Sequence, residues 1–361
     1  MINADELVEG SGGPKGGGRR RAGAGGPGRL TAGAGLRFLE KGALFVVWLL
    51  VIVVFSLLKP NTYATLSNAS TILGSQSTLL FLALGLMVPL TVGEYDLSVA
   101  YNLVFSSLVL ARLNVDSHVN IVVSIIVTLV VSSLIGVLNA ALIVFVGIDS
   151  FVATLGTGTF FGGMALWISS SSVIGGVSNG LVNLIVIDKL FSIPLEFYYG
   201  IAFTVILWVL YRFTALGQRM LFVGRNRDVA KLSGIRVNNV RFWALVVSGL
   251  FAGLSAVVSA GNSGAADPTA NVSMLLPAFA AVFLGATTIT PGRFNPWGTA
   301  ASVYFLVSGI TGLEILGAGT FVQDLFYGGA LVAAVTLSVL ARRRRVLTAR
   351  RASDAAATGG S

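Results

Sequence analysis

The chain has 361 residues, of which 55% are hydrophobic and only 11% charged, and its mean hydropathy is +0.85. That composition excludes an ordinary soluble domain and places the chain in a lipid bilayer, where length is counted in spans of about 20 residues and about ten fit. The formal charge of +9 gathers in two tails and one central segment. It therefore reads as topology and headgroup attraction, and no basic stripe carries the interleaved aromatics of a nucleic-acid binder.

The absence of cysteine removes disulfides, thiolate metal sites and cysteine nucleophiles together, and the single histidine, His118, lies in a polar turn between Asn114 and Asn120. No lysine stands in the G-x-x-x-x-G-K-[ST] pattern that wraps nucleotide phosphates, so the chain does not power itself with ATP. Neither catalysis nor a cofactor is expected of it.

Residues 1–36 are Gly-rich with scattered Arg and too poor in apolar residues to repay the entropy of ordering, so a disordered basic tail is expected there. The first apolar run begins near Ala43, too far along for a cleaved signal core and long enough to span. Spans are predicted near 38–58, 71–93, 97–113, 119–147, 151–169, 195–213, 242–261, 273–290, 298–316 and 320–340. The third is short and carries Ser98, Asn102, Ser106 and Ser107. Two forms stay open for it, a full crossing or a broken, partly re-entrant helix whose backbone other helices satisfy. Residues 37–341 form the membrane domain, and Arg342, Arg343, Arg344 and Arg345 begin a second basic tail, 342–361.

Between the sixth and seventh spans lies a polar segment, 214–241, with Arg219, Arg225, Arg227, Lys231, Arg236 and Arg241 against one acid, Asp228. Lys and Arg near spans resist translocation, so this segment is expected to face the cytoplasm. With ten spans and a cytoplasmic N-terminus, the central segment and the Arg-rich C-terminus also fall inside, and three basic segments agree on one topology.

Inside the spans, Gly158-x-x-x-Gly162 and Gly249-x-x-x-Gly253 imply closely packed helices. Gln76, Asn139, Thr154, Thr157 and Thr159 are polar, and Glu94 and Asp96 mark the second turn. An unpaired carboxylate in hydrocarbon costs at least about 2.5 kcal/mol, so Asp96 needs a partner, water or a cavity. It suits capping of the helix that follows, and a place in a transport path is compatible with that role.

Three separated stretches resemble the membrane subunits of ribose-type ATP-binding-cassette sugar importers, within the larger group that includes branched-chain amino-acid permeases. Leu84 to Val88 with Gly93-Glu94-Tyr95-Asp96-Leu97-Ser98-Val99 is similar to the family's G-M-x-x-V-x-x-x-G-G-I-D-L-S-V-G. Ser150-Phe151-Val152-Ala153-Thr154-Leu155-Gly156 is similar to A-F-I-A-T-L-G. Gly224-Arg225-Asn226-Arg227-Asp228-Val229-Ala230-Lys231-Leu232-Ser233-Gly234-Ile235 resembles G-x-N-x-x-A-A-x-x-S-G-I, the cytoplasmic motif that docks on the ATPase. The departures are Glu94-Tyr95 for Gly-Ile, Ala100 for Gly, and a segment after Pro268 that loses an acid and gains Pro277.

The resemblance implies an all-α integral membrane protein of about ten transmembrane helices in two pseudo-repeated halves, with the permease architecture of type II ATP-binding-cassette importers. It implies a multi-pass subunit of a bacterial inner or plasma membrane with both termini cytoplasmic. The partners it implies are a cytoplasmic ATPase, an extracytoplasmic sugar-binding protein and a second permease copy or homologue. A short helix over Asp228 to Ser233 would meet the ATPase. Arg225, Asn226, Arg227 and Asp228 would position it by polar contacts and Ala230, Leu232 and Gly234 would permit close packing, with Gly224 and Ser233 in the same ATPase-coupling set. For an uncharged, hydrogen-bond-rich solute, the candidate path residues are Asp96, Ser98, Asn139, Phe151, Thr154 and Phe279. Two alternatives remain: an ion-coupled carrier acting alone, weakened because Asp149, Asp188, Glu196 and Asp267 sit at span ends and loops, and the same machinery carrying a branched-chain amino acid.

Overall fold

The computed structural model describes residues 28–336, with side chains from Leu44 onward, so the Arg-rich end of the N-terminal tail and the Arg342–Arg345 run lie outside the described residues. In chain order the helices are α1 Gly28–Leu58, α2 Leu66–Ser75, α3 Ser77–Thr91, α4 Val99–Ala111, α5 Ile121–Ala141, α6 Ser150–Ile168 and α7 Asn179–Val182. They continue as α8 Leu195–Phe213, α9 Ala215–Arg225, α10 Arg227–Leu232, α11 Val237–Ser263, α12 Leu275–Gly285, α13 Pro296–Ile315 and α14 Phe321–Thr336. Strand pairing among the described residues is confined to two-residue rungs, Ile174–Gly175 with Ala265–Ala266 and Lys189–Leu190 with Ile193–Pro194. The protein is an all-α membrane protein.

Six helical segments among the described residues are long and apolar enough to cross a bilayer: 66–91, 121–146, 150–168, 195–213, 237–263 and 296–315. Each coincides with a predicted span. Shorter apolar helices stand at the first, eighth and tenth predicted spans, over Leu44–Leu58, Ala270–Gly285 and Phe321–Thr336. One boundary differs at the start, where α1 begins at Gly28, inside the segment expected to be disordered. Extending an existing apolar helix through Arg29, Leu30, Ala32 and Leu36 avoids the nucleation cost that makes isolated short helices unfavourable.

The third predicted span becomes α4, 13 residues continued by a π-helical turn over Arg112–Asp116. It is buried almost throughout, and its polar groups are satisfied by protein. Asn102 Nδ2 donates to the Ser132 carbonyl at 3.1 Å, Ser106 Oγ to Asn102 Oδ1 at 3.0 Å, and Ser107 Oγ to the Val104 carbonyl at 2.8 Å. The eighth is only α12, led in by a 3-10 turn over Ala270–Met274. It stops at Gly285 because Asn295 ties the corner: its Nδ2 donates to the Gly285 carbonyl at 3.1 Å while its Oδ1 accepts from Gly298 N–H at 2.6 Å, capping α13.

The middle of the bundle is α3, every residue of which is buried. A helix apolar around its whole circumference has no solvent or lipid face to present. Against it pack α8, α11, α12 and α13, and α11 also runs along α5 and α4. The α5–α11 crossing depends on absent side chains: a Cβ at Gly249 would lie 2.6 Å from the Ser132 carbonyl oxygen. Gly253 likewise faces the Ser132 side chain, as its small-residue spacing predicts.

Candidate functional site

The basic segment 214–241 folds as two helices and a tight exit. Thr214 caps α9, its Oγ1 accepting from Gly217 N–H at 3.2 Å. Gly224 lies so close to the end of α3 that a Cβ there would fall onto the Thr91 carbonyl oxygen. Asn226 then caps α10 by accepting from the N–H groups of Asp228 (2.9 Å) and Val229 (3.1 Å). At the far end, Gly234 N–H reaches the Lys231 carbonyl (3.0 Å) and Ile235 N–H the Ala230 carbonyl (3.1 Å), with Gly234 at φ +78°. This paired closure is what a left-handed glycine permits.

The residues assigned to partner packing therefore divide by position. Ala230 is fully buried within its own chain, and Gly234 meets nothing within 4 Å, so backbone conformation rather than close approach selects glycine there. Leu232, by contrast, is 89% exposed, with Val229 half-exposed beside it. Arg225, Asn226, Asp228, Lys231 and Ser233 are also exposed.

Arg227 turns inward. Its Nη2 donates to Glu94 Oε1 at 2.6 Å and to the Gly93 carbonyl at 2.8 Å, and Arg241 Nε donates to the same Glu94 oxygen at 2.5 Å. Glu94 is 3% exposed, so its carboxylate is charge-balanced almost wholly by two guanidiniums from the basic segment. In the sequence Glu94 stands as a departure from the family's pattern with no partner evident beside it. The signal was present, since a buried acid in a membrane chain needs a cation and the segment 214–241 carries most of the nearby ones.

Two residues further on, Asp96 enters a second network. Its Oδ1 accepts from Ser98 N–H (3.0 Å) and Ser98 Oγ (2.6 Å), and its Oδ2 accepts from Ser248 Oγ on α11 (2.7 Å). Asn139 Nδ2 on α5 donates to Ser98 Oγ at 2.7 Å, and Thr157 Oγ1 on α6 donates to Asn139 Oδ1 at 2.6 Å. Thr154 Oγ1 accepts from Leu97 N–H at 3.0 Å and donates to the Ser150 carbonyl at 2.7 Å. Asp96 thus organises the turn before α4 and also ties that turn to α11.

Of the six path candidates, Asp96 and Ser98 on the turn before α4 and Asn139 on α5 are hydrogen-bonded in one buried chain, and Thr154 on α6 joins the same turn through its backbone at Leu97. The other two stand apart. Phe151 is half-exposed at the start of α6, among the outward apolar residues Val152, Leu155 and Phe160. Phe279 is buried on α12, stacked on Phe283 with ring centroids 6.3 Å apart. A further acid, Glu196, lies at a span end as expected but is buried, accepting from Asn262 Nδ2 at 3.1 Å.

Comparison with known proteins adds to this geometry. A family profile described as the permease component of branched-chain amino acid transport systems matches residues 68–335. The D-allose transport system permease protein AlsC of Escherichia coli is 29% identical over 84% of this chain and 93% of its own length. The ribose import permease protein RbsC of Bacillus subtilis is 30% identical over 83% of this chain and 92% of its own. The L-arabinose ABC transporter permease protein AraH of Azospirillum brasilense is 27% identical over 88% and 93%. No solved structure matches the chain.

Proposed function

The chain belongs to the family of permease components of branched-chain amino acid transport systems, and from that premise we propose that it is the membrane subunit of an ATP-driven importer of a sugar or related polyol. The relatives named for allose, ribose and arabinose cover most of both chains, and this supports a sugar over an amino acid. A separate cytoplasmic ATPase docks on α10, an extracytoplasmic binding protein delivers the solute, and a second permease copy completes the path. The basic segment and both termini face the cytoplasm.

The observation that carries this reading is the construction of 224–241. It presents an apolar tip, Leu232, outward on a short helix whose root, Arg227, is fixed to Glu94. Glu94 and Asp96 lie two residues apart on the α3–α4 connection, so a push on α10 reaches the α4–α5–α6–α11 network through one short stretch of backbone. Docking at the tip and a rigid tie at the root are what a rigid-body switch between two access states requires. The solute path lies along α6, where Phe151 offers an aromatic face, and it opens beside Asp96, Ser98, Asn139 and Thr154 when the helices move.

The test is gentle purification of the complex with Leu232→Asp. An exposed substitution leaves the permease itself within about 0.5 kcal/mol of its parent, so loss of a co-purifying ATPase with undiminished permease yield supports the docking role. Full retention of the ATPase, with sugar uptake unaffected, would remove it.

A further inference from the structure

A cavity of about 830 Å³ opens between the ends of α8 and α11 and the underside of the basic segment. Its inner wall is apolar, including Leu207 on α8 and Val247 on α11, both within helices long enough to cross the bilayer. Its outer rim carries Arg219 and Arg236, with Trp243 between rim and wall. From Arg236 to Val247 the helical rise gives a depth of about 16 Å.

The rim charges are uncommitted. Among the described residues neither Arg219 nor Arg236 makes an ion pair or a side-chain hydrogen bond, whereas Arg227 and Arg241 of the same segment are both spent on Glu94. No acid lines the cavity. Trp243 is 59% exposed, an amphipathic ring of the kind enriched where a membrane meets water.

We propose that this cavity binds one acidic phospholipid, with acyl chain against Leu207 and Val247 and phosphate between Arg219 and Arg236. Two parts of the site select that occupant. The apolar depth within membrane-spanning helices suits an acyl chain, and two free guanidiniums match an anionic phosphate that a zwitterionic headgroup partly neutralises. Ser233 and Gly234, the exit of α10, also line the cavity, so an occupied site braces that helix from beneath. The inference stands on the cavity itself and does not depend on the solute or on the ATPase.

The experiment uses the full chain, delipidated in mild detergent, and tryptophan quenching by phosphatidylglycerol or phosphatidylcholine brominated on the acyl chain. The signal from the site is the difference between the parent and Trp243→Phe. Brominated phosphatidylglycerol is expected to quench it at lower mole fraction than the phosphatidylcholine. Arg219→Gln and Arg236→Gln should each raise the half-quenching fraction about fivefold, and together about 25-fold. Equal quenching by the two lipids, or no change in the double variant, would overturn the proposal. Equal quenching combined with shielding of Trp243 only when an ATPase subunit is bound would assign the cavity to that protein instead. Both Arg positions are solvent-facing and neither holds the fold, and an unchanged melting temperature of the variants in detergent alone verifies this.

Discussion

Replacing Glu94 with Gln strands two guanidiniums around one site. Losing one member of a buried ion pair costs about 3–5 kcal/mol when the remaining charge is trapped. The two arginines differ here: Arg227 is 42% exposed at its side chain and can turn into water, whereas Arg241 is 17% exposed and largely cannot. The glutamine oxygen still accepts one hydrogen bond. The cost should therefore fall below the full range, at about 2–3 kcal/mol, carried mostly by Arg241. The assay is thermal unfolding in one detergent of the parent, Glu94→Gln, Arg241→Met and the double variant. A shared pair predicts that the double variant is less destabilised than the sum of the singles by at least about 1 kcal/mol. Arg227→Ala, with its water-facing side chain, should cost about 1 kcal/mol or less but should loosen α10 and lower uptake more than it lowers ATP hydrolysis. Strictly additive losses for Glu94 and Arg241, or a Glu94→Gln protein as stable as its parent, would refute the reasoning.

Other substitutions separate the reasons for which glycine is used. Gly224→Val should abolish folded protein in a yield and melting assay, because the obstructing atom is the Thr91 backbone oxygen and cannot rotate aside. Gly234→Ala meets no atom within 4 Å yet must hold φ at +78°, so it should cost about 1–2 kcal/mol in melting, with Gly234→Asn milder. Gly163→Ala, on α6 with open space around it, should be neutral or stabilise by up to about 1 kcal/mol, whereas Gly249→Ala should destabilise. Asn139→Leu removes one hydrogen bond each from Ser98 and Thr157, but Ser98 Oγ keeps Asp96 and Thr157 Oγ1 keeps the Thr154 carbonyl, so a loss of about 1–2 kcal/mol in all is expected from melting.

Much of the site was legible because its parts are local in sequence. The short helix expected over Asp228 to Ser233 appears as α10, Arg227–Leu232, while the caps at Thr214 and Asn226 and the turn at Gly234, though built from near-neighbour hydrogen bonds within 214–235, were not named in the sequence. The roles of Ala230 and Gly234 were not legible in the same way. Both are small residues in the stretch that resembles the family's docking motif, and only the packed chain shows one buried inward and the other shaped by its dihedral angle.

By itself the sequence determined that the chain is a helical membrane protein, where most of its spans fall, and that its polar centre is a distinct segment. Apolar run length is a property of consecutive residues, and bilayer thickness turns it directly into a count of helices. Tertiary structure alone decided which helix is wrapped on all sides, how Asn102, at the centre of the polar residues of α4, finds its partner on α5, and which cations answer Glu94. The bonds that answer the buried acids join residues more than a hundred positions apart, as Glu94 is from Arg227 and Asp96 from Ser248. A buried charge or hydroxyl states in the sequence that it must be satisfied, but the partner is chosen only when helices cross.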